Sequence, residues 1–217
     1  MFPIGDSPAN HVHKPILTWL FILINVLVFV YEVSLSPDQL NEFIYQYGAV
    51  PNVLATGQNI ISLFTSMFLH GGWMHLIGNM LFLYVFGDNI EGRLGSIKFL
   101  IFYIIGGLAA HALQILVMGL NSDIPSIGAS GCIAAILGAY LILFPGSQIR
   151  MLDIRTMSVY PVGASQFLLY WIILQLFSGT GSLFSAGTGG GVAYRAHIGG
   201  FVFGWLSGKM IGKTPTI

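Results

Sequence analysis

Hydrophobic residues along this chain are grouped into six long runs, separated by shorter stretches that contain polar residues, glycine and proline. The runs cover approximately residues 16–35, 73–87, 99–120, 127–144, 162–178 and 192–211. Because about 20 helical residues cross the apolar core of a bilayer, each run is close to the length of a transmembrane helix. The pattern therefore predicts six membrane-spanning helices, the second being the shortest.

The stretch between the first two runs, residues 36–72, is irregular. It contains Pro37, Pro51 and Gly57, and its apolar segment at 60–69 is too short to span a bilayer. We expect a long first loop that is partly embedded beside the helical bundle. Only one lysine, Lys14, precedes the first run and no small-residue cleavage site follows it, which favours a retained span over a removed signal peptide.

The composition indicates the same class of protein. Hydrophobic residues make up 55% of the chain and charged residues only 7%, with a mean hydropathy of +0.80, whereas a soluble domain carries roughly 25% charged residues. We therefore predict an all-α membrane protein with a single domain over residues 1–217, in contact with the lipid bilayer. The zero net charge gives no sign of nucleic-acid binding, and the single cysteine, Cys132, cannot form an internal disulfide.

The positions of the basic residues predict the orientation in the membrane. With six spans, seven of the eight fall on one face: Lys14, Arg93, Lys98, Arg150, Arg155, Lys209 and Lys213. The opposite loops carry acidic residues and only one basic residue, Arg195. The positive-inside rule then places both termini in the cytoplasm of a multi-pass protein of the cell membrane.

A serine and a histidine lie within the apolar runs, where polar groups are costly and usually functional. Ser130 begins the fourth run in Gly128-Ala129-Ser130-Gly131, and His197 lies near the start of the sixth run. With the orientation above, both lie near the outer face. The two residues are therefore expected at one depth in the membrane.

Small residues follow each of these two side chains at helical spacing. Gly200, Gly204 and Gly208 come three, seven and eleven residues after His197. In the fourth run, small residues likewise follow Ser130: Gly131, Ala134, Ala135 and Gly138. Such stripes let membrane helices approach closely. Helix packing alone explains the two stripes of small residues. It does not explain why one stripe begins next to a serine and the other next to a histidine.

A serine next to an imidazole can carry out nucleophilic acyl transfer, because the imidazole takes the hydroxyl proton and later protonates the leaving amine. The fourth and sixth runs contain no acidic residue, so the site would be a dyad. His75 and Asn79 are four residues apart and share a helical face, where their side chains can stabilise an oxyanion. Gly128 and Gly131 allow a substrate backbone to come close to the serine.

A metal site at His70 and His75 is the competing interpretation of this segment. Two histidines five apart do not share a helix face as an i, i+4 pair does, and no carboxylate or cysteine stands at ligand spacing. We therefore predict neither a metal nor another cofactor. His11, His13 and His111 have no organised neighbours in the sequence, which favours packing or interface roles.

Four motifs resemble those of the rhomboid intramembrane serine proteases, and their order along the chain is also that of the family. In chain order they are the His75/Asn79 pair, Glu91-Gly92-Arg93-Leu94-Gly95, the serine motif and Ala196-His197-Ile198-Gly199-Gly200. The resemblance runs from about residue 17 to 208 and implies a six-helix rhomboid-like bundle in its minimal form, with a water-filled cavity open to the outside. The segment Gly163-Ala164-Ser165 resembles the serine motif but lacks the glycine that follows the serine.

The resemblance also implies roles for individual residues. Ser130 would be the nucleophile, His197 the general base, and His75 with Asn79 part of the oxyanion hole, joined by the backbone N–H of Ser130. Glu91 and Arg93 would be structural, and the substrates would be transmembrane segments of other membrane proteins. Some family members carry an aromatic residue four positions after the serine to support the histidine. Here the position is Ala134, so another residue must hold the imidazole.

The glycine-rich, uncharged stretch 178–191 precedes His197 and is predicted to form a mobile loop. Together with movement of the fifth span, it would gate substrate entry from the lipid, although a simple flexible connector has the same composition. Two other classes stay open. They are a catalytically inactive protein that binds transmembrane clients, and a transporter, although no repeat of the spans and no series of intramembrane carboxylates is visible.

Overall fold

The structure, a computed structural model, describes residues 1–7, 14–184 and 194–213. Within these ranges the chain forms, in order, β1 (Phe2–Asp6), α1 (Ile16–Ser34), α2 (Pro37–Tyr47), α3 (Pro51–Ala55), α4 (Ser62–Thr65), α5 (Trp73–Phe82), α6 (Asp88–Leu94), α7 (Ser96–Met118), α8 (Ser130–Leu143), β2 (Gln148–Asp153), β3 (Ser158–Gly163), α9 (Ala164–Phe184) and α10 (Tyr194–Ile211). A 3₁₀ turn at Ser66–Phe68 follows α4, and a π-helical turn at Leu83–Gly87 joins α5 to α6.

Each of the six apolar runs coincides with a helix: α1, α5 with its π-helical turn, α7, α8, α9 and α10. By length and composition, α1 and α7 are long and apolar enough to cross a membrane. The apolar helices at Ser130–Leu143 and Ala164–Phe177 are shorter. The outward faces of α1, α7 and α9 expose large apolar side chains such as Leu27, Leu116 and Phe177, as expected for surfaces in contact with lipid.

The chain is mostly helical, as the predicted all-α class requires, but it also contains a small antiparallel sheet that was not anticipated. Its strand order is β1-β2-β3, with Phe2 opposite Leu152 and Gln148 opposite Gly163. Along β2 the side chains of Ile149 and Met151 are buried and alternate with exposed ones, which is the two-residue period of a strand. This alternation covers only six residues and includes a basic residue, which is why the segment resembles a loop in the sequence.

The predicted irregular first loop contains short helices. α2 begins with a capping box, because the Ser36 hydroxyl accepts from the backbone N–H of Gln39 and the Gln39 side chain accepts from the N–H of Ser36. Further along, the side chains of Val50, Met67 and Leu69 are buried. These apolar residues attach the later part of the loop to the bundle.

The helix α8 lies at the centre of the bundle. Every residue from Gly131 to Tyr140 is buried, and α8 contacts α5, α6, α7, α9 and α10. Its packing against α10 is unusually close: a Cβ on Gly200 would lie 2.1 Å from the carbonyl oxygen of Gly131, and a Cβ on Gly204 1.8 Å from that of Ala135. Only glycine permits this approach, so the two backbones are in direct contact.

Candidate active site

Ser130 is the first residue of the central helix α8, and its side chain is half-buried. The preceding turn is shaped by Gly128, whose φ of +119° is rarely adopted by L-residues. The backbone N–H of Gly128 donates to the carbonyl of Ser66 at 2.8 Å, which fixes the turn to the end of the first loop. No side chain caps α8, so its first amides are available for developing negative charge.

His197 lies in the first turn of α10, and its side chain is only 7% exposed. The contacts of α8 with α10 run in parallel, from Gly131 beside Gly200 to Ala135 beside Gly204. Both positions advance by four residues, so His197, three residues before Gly200, stands level with Gly128, three residues before Gly131. The register therefore brings His197 to the end of the bundle where Ser130 lies. Among the described residues the Ser130 hydroxyl makes no direct hydrogen bond to His197, which is common in sites without substrate.

The imidazole of His197 has two neighbours on α9. Its Nδ1 donates to Oε1 of Gln175 at 2.7 Å, and the ring of Trp171 lies against it with the centroids 5.7 Å apart and the planes at 34°. Tyr194 approaches from its own helix, with a centroid distance of 6.4 Å. These contacts identify the support for the ring that the sequence leaves unnamed, since Ala134 is buried and its side chain is only a methyl group.

His75 and Asn79 both lie on α5 and converge on Gly128. A Cβ at Gly128 would lie 2.8 Å from Nε2 of His75 and 3.7 Å from Nδ2 of Asn79. Nδ1 of His75 accepts from the backbone N–H of Gly71 at 3.3 Å, so Nε2 carries the proton in the neutral ring. Two side-chain N–H donors therefore stand beside the turn that precedes Ser130.

His70 belongs to this cluster through hydrogen bonds. Its Nε2 accepts from Nδ2 of Asn79 at 3.0 Å, which leaves the second hydrogen of that amide free. Its backbone N–H donates to both carboxylate oxygens of Glu32, a buried residue of α1, at 3.2 Å each. In the part of the chain that the structure describes, no group of three or more histidine, cysteine and acidic side chains could hold a metal ion.

Glu91 lies on α6 and ties this helix to the start of α1. Its Oε1 accepts from the N–H of Leu17 at 2.8 Å and from the hydroxyl of Ser96 at 2.6 Å. Its Oε2 accepts from the N–H of Thr18 at 2.7 Å and from the Thr18 hydroxyl at 2.8 Å. Arg93 lies two residues further along α6.

The other histidines and Ser165 have separate surroundings. His111 on α7 is buried, and its Nε2 forms a hydrogen bond of 3.0 Å with the Ser66 hydroxyl. The Ser165 hydroxyl donates to the carbonyl of Pro145 at 3.0 Å. His11 and His13 lie outside the described residues, and so does the second half of the predicted gating loop at 178–191, whereas the first half belongs to the helix α9 and not to a loop.

Gln175 and Glu32 are the polar residues of this region that sequence reasoning missed. Gln175 is an isolated amide within the apolar run of α9, and Glu32 lies near the end of the apolar run of α1. The available signal was their polarity inside an apolar run, the same signal that identified Ser130 and His197. Neither residue stands at a motif spacing from the others.

Comparison with known proteins adds to this geometry. A family model described as Rhomboid domain matches residues 57–214. The chain is 28% identical to the Rhomboid protease GluP of Bacillus subtilis (strain 168) over 92% of the chain and 35% of that protein. It is 29% identical to Rhomboid protein 1, mitochondrial, of Saccharomyces cerevisiae over 70% of the chain and 42% of that protein. RHOMBOID-like protein 4 of Arabidopsis thaliana is 34% identical over 68% of the chain and 33% of that protein.

The chain thus spans between 33% and 42% of the length of these curated relatives. The match to the family model extends over more than half of the chain and includes α5, α8 and α10, the helices that carry the candidate site. The chain therefore belongs to the rhomboid family.

Proposed function

We propose that this protein is an intramembrane serine endopeptidase that cleaves transmembrane segments of other membrane proteins. The observation that carries the proposal is the convergence at one end of the bundle of a half-buried serine on a helix N-terminus, a histidine with a free Nε2, and two N–H donors on α5. Family membership supports the same reaction.

In this mechanism Ser130 is the nucleophile and His197 the general base. Nε2 of His197 takes the hydroxyl proton as the serine oxygen attacks the scissile carbonyl carbon. The resulting oxyanion accepts hydrogen bonds from Nε2–H of His75, from Nδ2–H of Asn79 and from the backbone N–H of Ser130. The imidazolium then protonates the leaving nitrogen as the C–N bond breaks. Water, deprotonated by the same Nε2, hydrolyses the acyl-enzyme and releases Ser130.

Glycines complete the proposed site. Gly128 keeps the space beside His75 clear of a side chain, and Gly131 with Gly200 and Gly204 lets α8 and α10 touch. Glu91 and Arg93 act structurally at the opposite end of the second span. Fixed hydrogen-bond donors stabilise an oxyanion most effectively where little water competes with them. A cluster of polar side chains at the end of an apolar bundle suits this chemistry.

We further propose six membrane-spanning helices in one domain, both termini in the cytoplasm of a cell-membrane protein, and an active site towards the outer face. The support is the one-sided distribution of basic residues and the parallel register of α8 and α10, which sets Ser130 and His197 at the same end of the bundle.

The test is labelling by a fluorophosphonate in detergent, together with cleavage of a transmembrane test substrate. We expect the wild type to be labelled and active, and both activities to be lost in Ser130→Ala and reduced at least about 1,000-fold in His197→Ala, because the unassisted hydroxyl is a weak nucleophile. Ser165→Ala is the matched control and should behave as wild type. A wild-type chain that neither reacts with the probe nor cuts any test substrate would rule out the protease and leave client binding without cleavage.

A further inference from the structure

The general base of the proposed protease raises a problem of orientation. An imidazole acts as a base only if the nitrogen that faces the nucleophile carries no proton, and a carboxylate commonly secures this from the other side of the ring. Neither α8 nor α10 contains an acidic residue. Some other group must select the tautomer of His197 and hold its ring.

Gln175 has the chemistry for this task. Its Oε1 lies 2.7 Å from Nδ1 of His197, and an amide oxygen only accepts hydrogen bonds. Nδ1 must therefore carry the proton, and the lone pair is left on Nε2. Because the amide is neutral, it provides this selection without placing a charge in an apolar bundle, where an unpaired carboxylate would be costly.

The other contacts of the ring fix its plane but not its tautomer. Trp171 lies against the imidazole with the planes at 34°, and Tyr194 meets it nearly edge-on at 84°. An aromatic face restricts rotation of a neighbouring ring without distinguishing Nδ1 from Nε2. Selection of the tautomer therefore depends on Gln175.

Gln175 is carried by α9, a different helix from the one that bears the base. The position of α9 is set by ring contacts on its inner side: Phe167 and Trp171 with Phe82 at 6.0 and 6.4 Å, and Trp171 with Phe201 at 6.2 Å. The hydrogen bond exists only while α9 is packed against α5 and α10. The active state of the base therefore includes the docked position of α9.

We infer that Gln175 is the positioning residue of the general base His197, fixing its Nδ1–H tautomer from α9 in place of a carboxylate. The inference rests on the proposed protease function. It gives α9 a role in catalysis, although none of the family motifs in this sequence lies on α9.

The first test is Gln175→Met, which keeps the length of the side chain but removes the acceptor. We expect kcat for a transmembrane substrate to fall about 10- to 100-fold with KM nearly unchanged, because a misoriented base loses part of the contribution of general-base catalysis. The matched control is Gln166→Met, the same change at an exposed position of α9 two and a half turns away, which should retain wild-type kcat. A Gln175→Met protein with wild-type kcat would overturn the inference.

The second test separates positioning from a purely structural role. In protein labelled with ¹⁵N-histidine, with the His197 signal assigned from His197→Ala, the wild type should show the Nδ1–H tautomer and Gln175→Met a mixture or the other tautomer. An unchanged Nδ1–H tautomer in Gln175→Met would overturn the inference. This measurement needs no activity, so it decides the role of Gln175 even if the wild type fails to react with a fluorophosphonate and the protease proposal falls.

The third test is rescue by Gln175→Glu, which restores the acceptor and adds a charge. We expect most of the kcat lost in Gln175→Met to return, and the acid limb of the pH–activity profile to move to higher pH, since a carboxylate beside the ring favours its protonated, inactive form. The other titratable rings near His197 are His75 and Tyr194, and both are unchanged in the two variants. An acid limb at the wild-type position in an active Gln175→Glu protein would contradict the direct contact.

Discussion

At the scale of single residues, Gly128 lies between the proposed nucleophile, Ser130, and the proposed oxyanion donors, His75 and Asn79. Its backbone has φ of +119°, and a Cβ there would approach Cε1 and Nε2 of His75 to 2.8 Å. In Gly128→Ala the turn is strained and the imidazole of His75 is pushed out of its position beside the proposed oxyanion. We expect kcat to fall about 100-fold or more, the usual loss when one oxyanion donor is removed.

The control for this prediction is Gly78→Ala on α5, the helix that carries both proposed donors. A Cβ at Gly78 would meet nothing within 4 Å, and alanine has a higher helix propensity than glycine, so activity should be retained. Both variants are to be compared by kcat on the same transmembrane substrate. Equal activity of Gly128→Ala and wild type would show that His75 does not act from its observed position.

The sequence was sufficient to identify Ser130, His197, His75 and Asn79 as candidates, because each is a polar residue flanked by glycine or set at helical spacing in an apolar segment. It was not sufficient for Gln175. A hydrogen bond between residues 22 positions apart on two helices depends on how those helices pack, and no spacing rule within one helix contains that information.

At the scale of elements, the contact between α8 and α10 holds together the two helices that carry Ser130 and His197. Gly204→Ala would place a methyl group 1.8 Å from the Ala135 carbonyl oxygen, whereas in Gly208→Ala the nearest atom is 3.1 Å away. We expect Gly204→Ala to lower the free energy of unfolding by about 1–3 kcal/mol or more and to reduce activity by separating the helices. Gly208→Ala should have a clearly smaller effect on both.

This comparison is made by thermal unfolding in detergent and by substrate cleavage for the two variants side by side. An equal effect of the two substitutions would contradict the close register of the helices at Ala135. The sequence predicted the stripe of small residues because its period is visible in one segment. The sheet of β1, β2 and β3 was missed because pairing β1 with β2 joins residues almost 150 positions apart.

At the scale of the whole molecule, Glu91 joins the second helical segment to the first. The carboxylate is fully buried and accepts four hydrogen bonds, three of them from the first turn of α1. Glu91→Gln replaces one oxygen by a donor that faces other donors. We expect the free energy of unfolding to fall by about 2–3 kcal/mol, which chemical denaturation in detergent would measure.

Glu42→Gln makes the same substitution at an exposed position of α2. It should change the free energy of unfolding by less than about 0.5 kcal/mol. A Glu91→Gln protein as stable as Glu42→Gln would show that the first turn of α1 finds other acceptors.

The same carboxylate has a consequence for the order in which the chain is assembled during synthesis. The amides of Leu17 and Thr18 find their acceptor 74 and 73 residues further along the chain. Since the N-terminal part emerges from the ribosome first, α1 is made well before Glu91 exists, and its first amides must meanwhile be satisfied by water. The start of α1 therefore has to stay at a hydrated boundary until α6 arrives, and the first helix reaches its final state only after the second segment has been made.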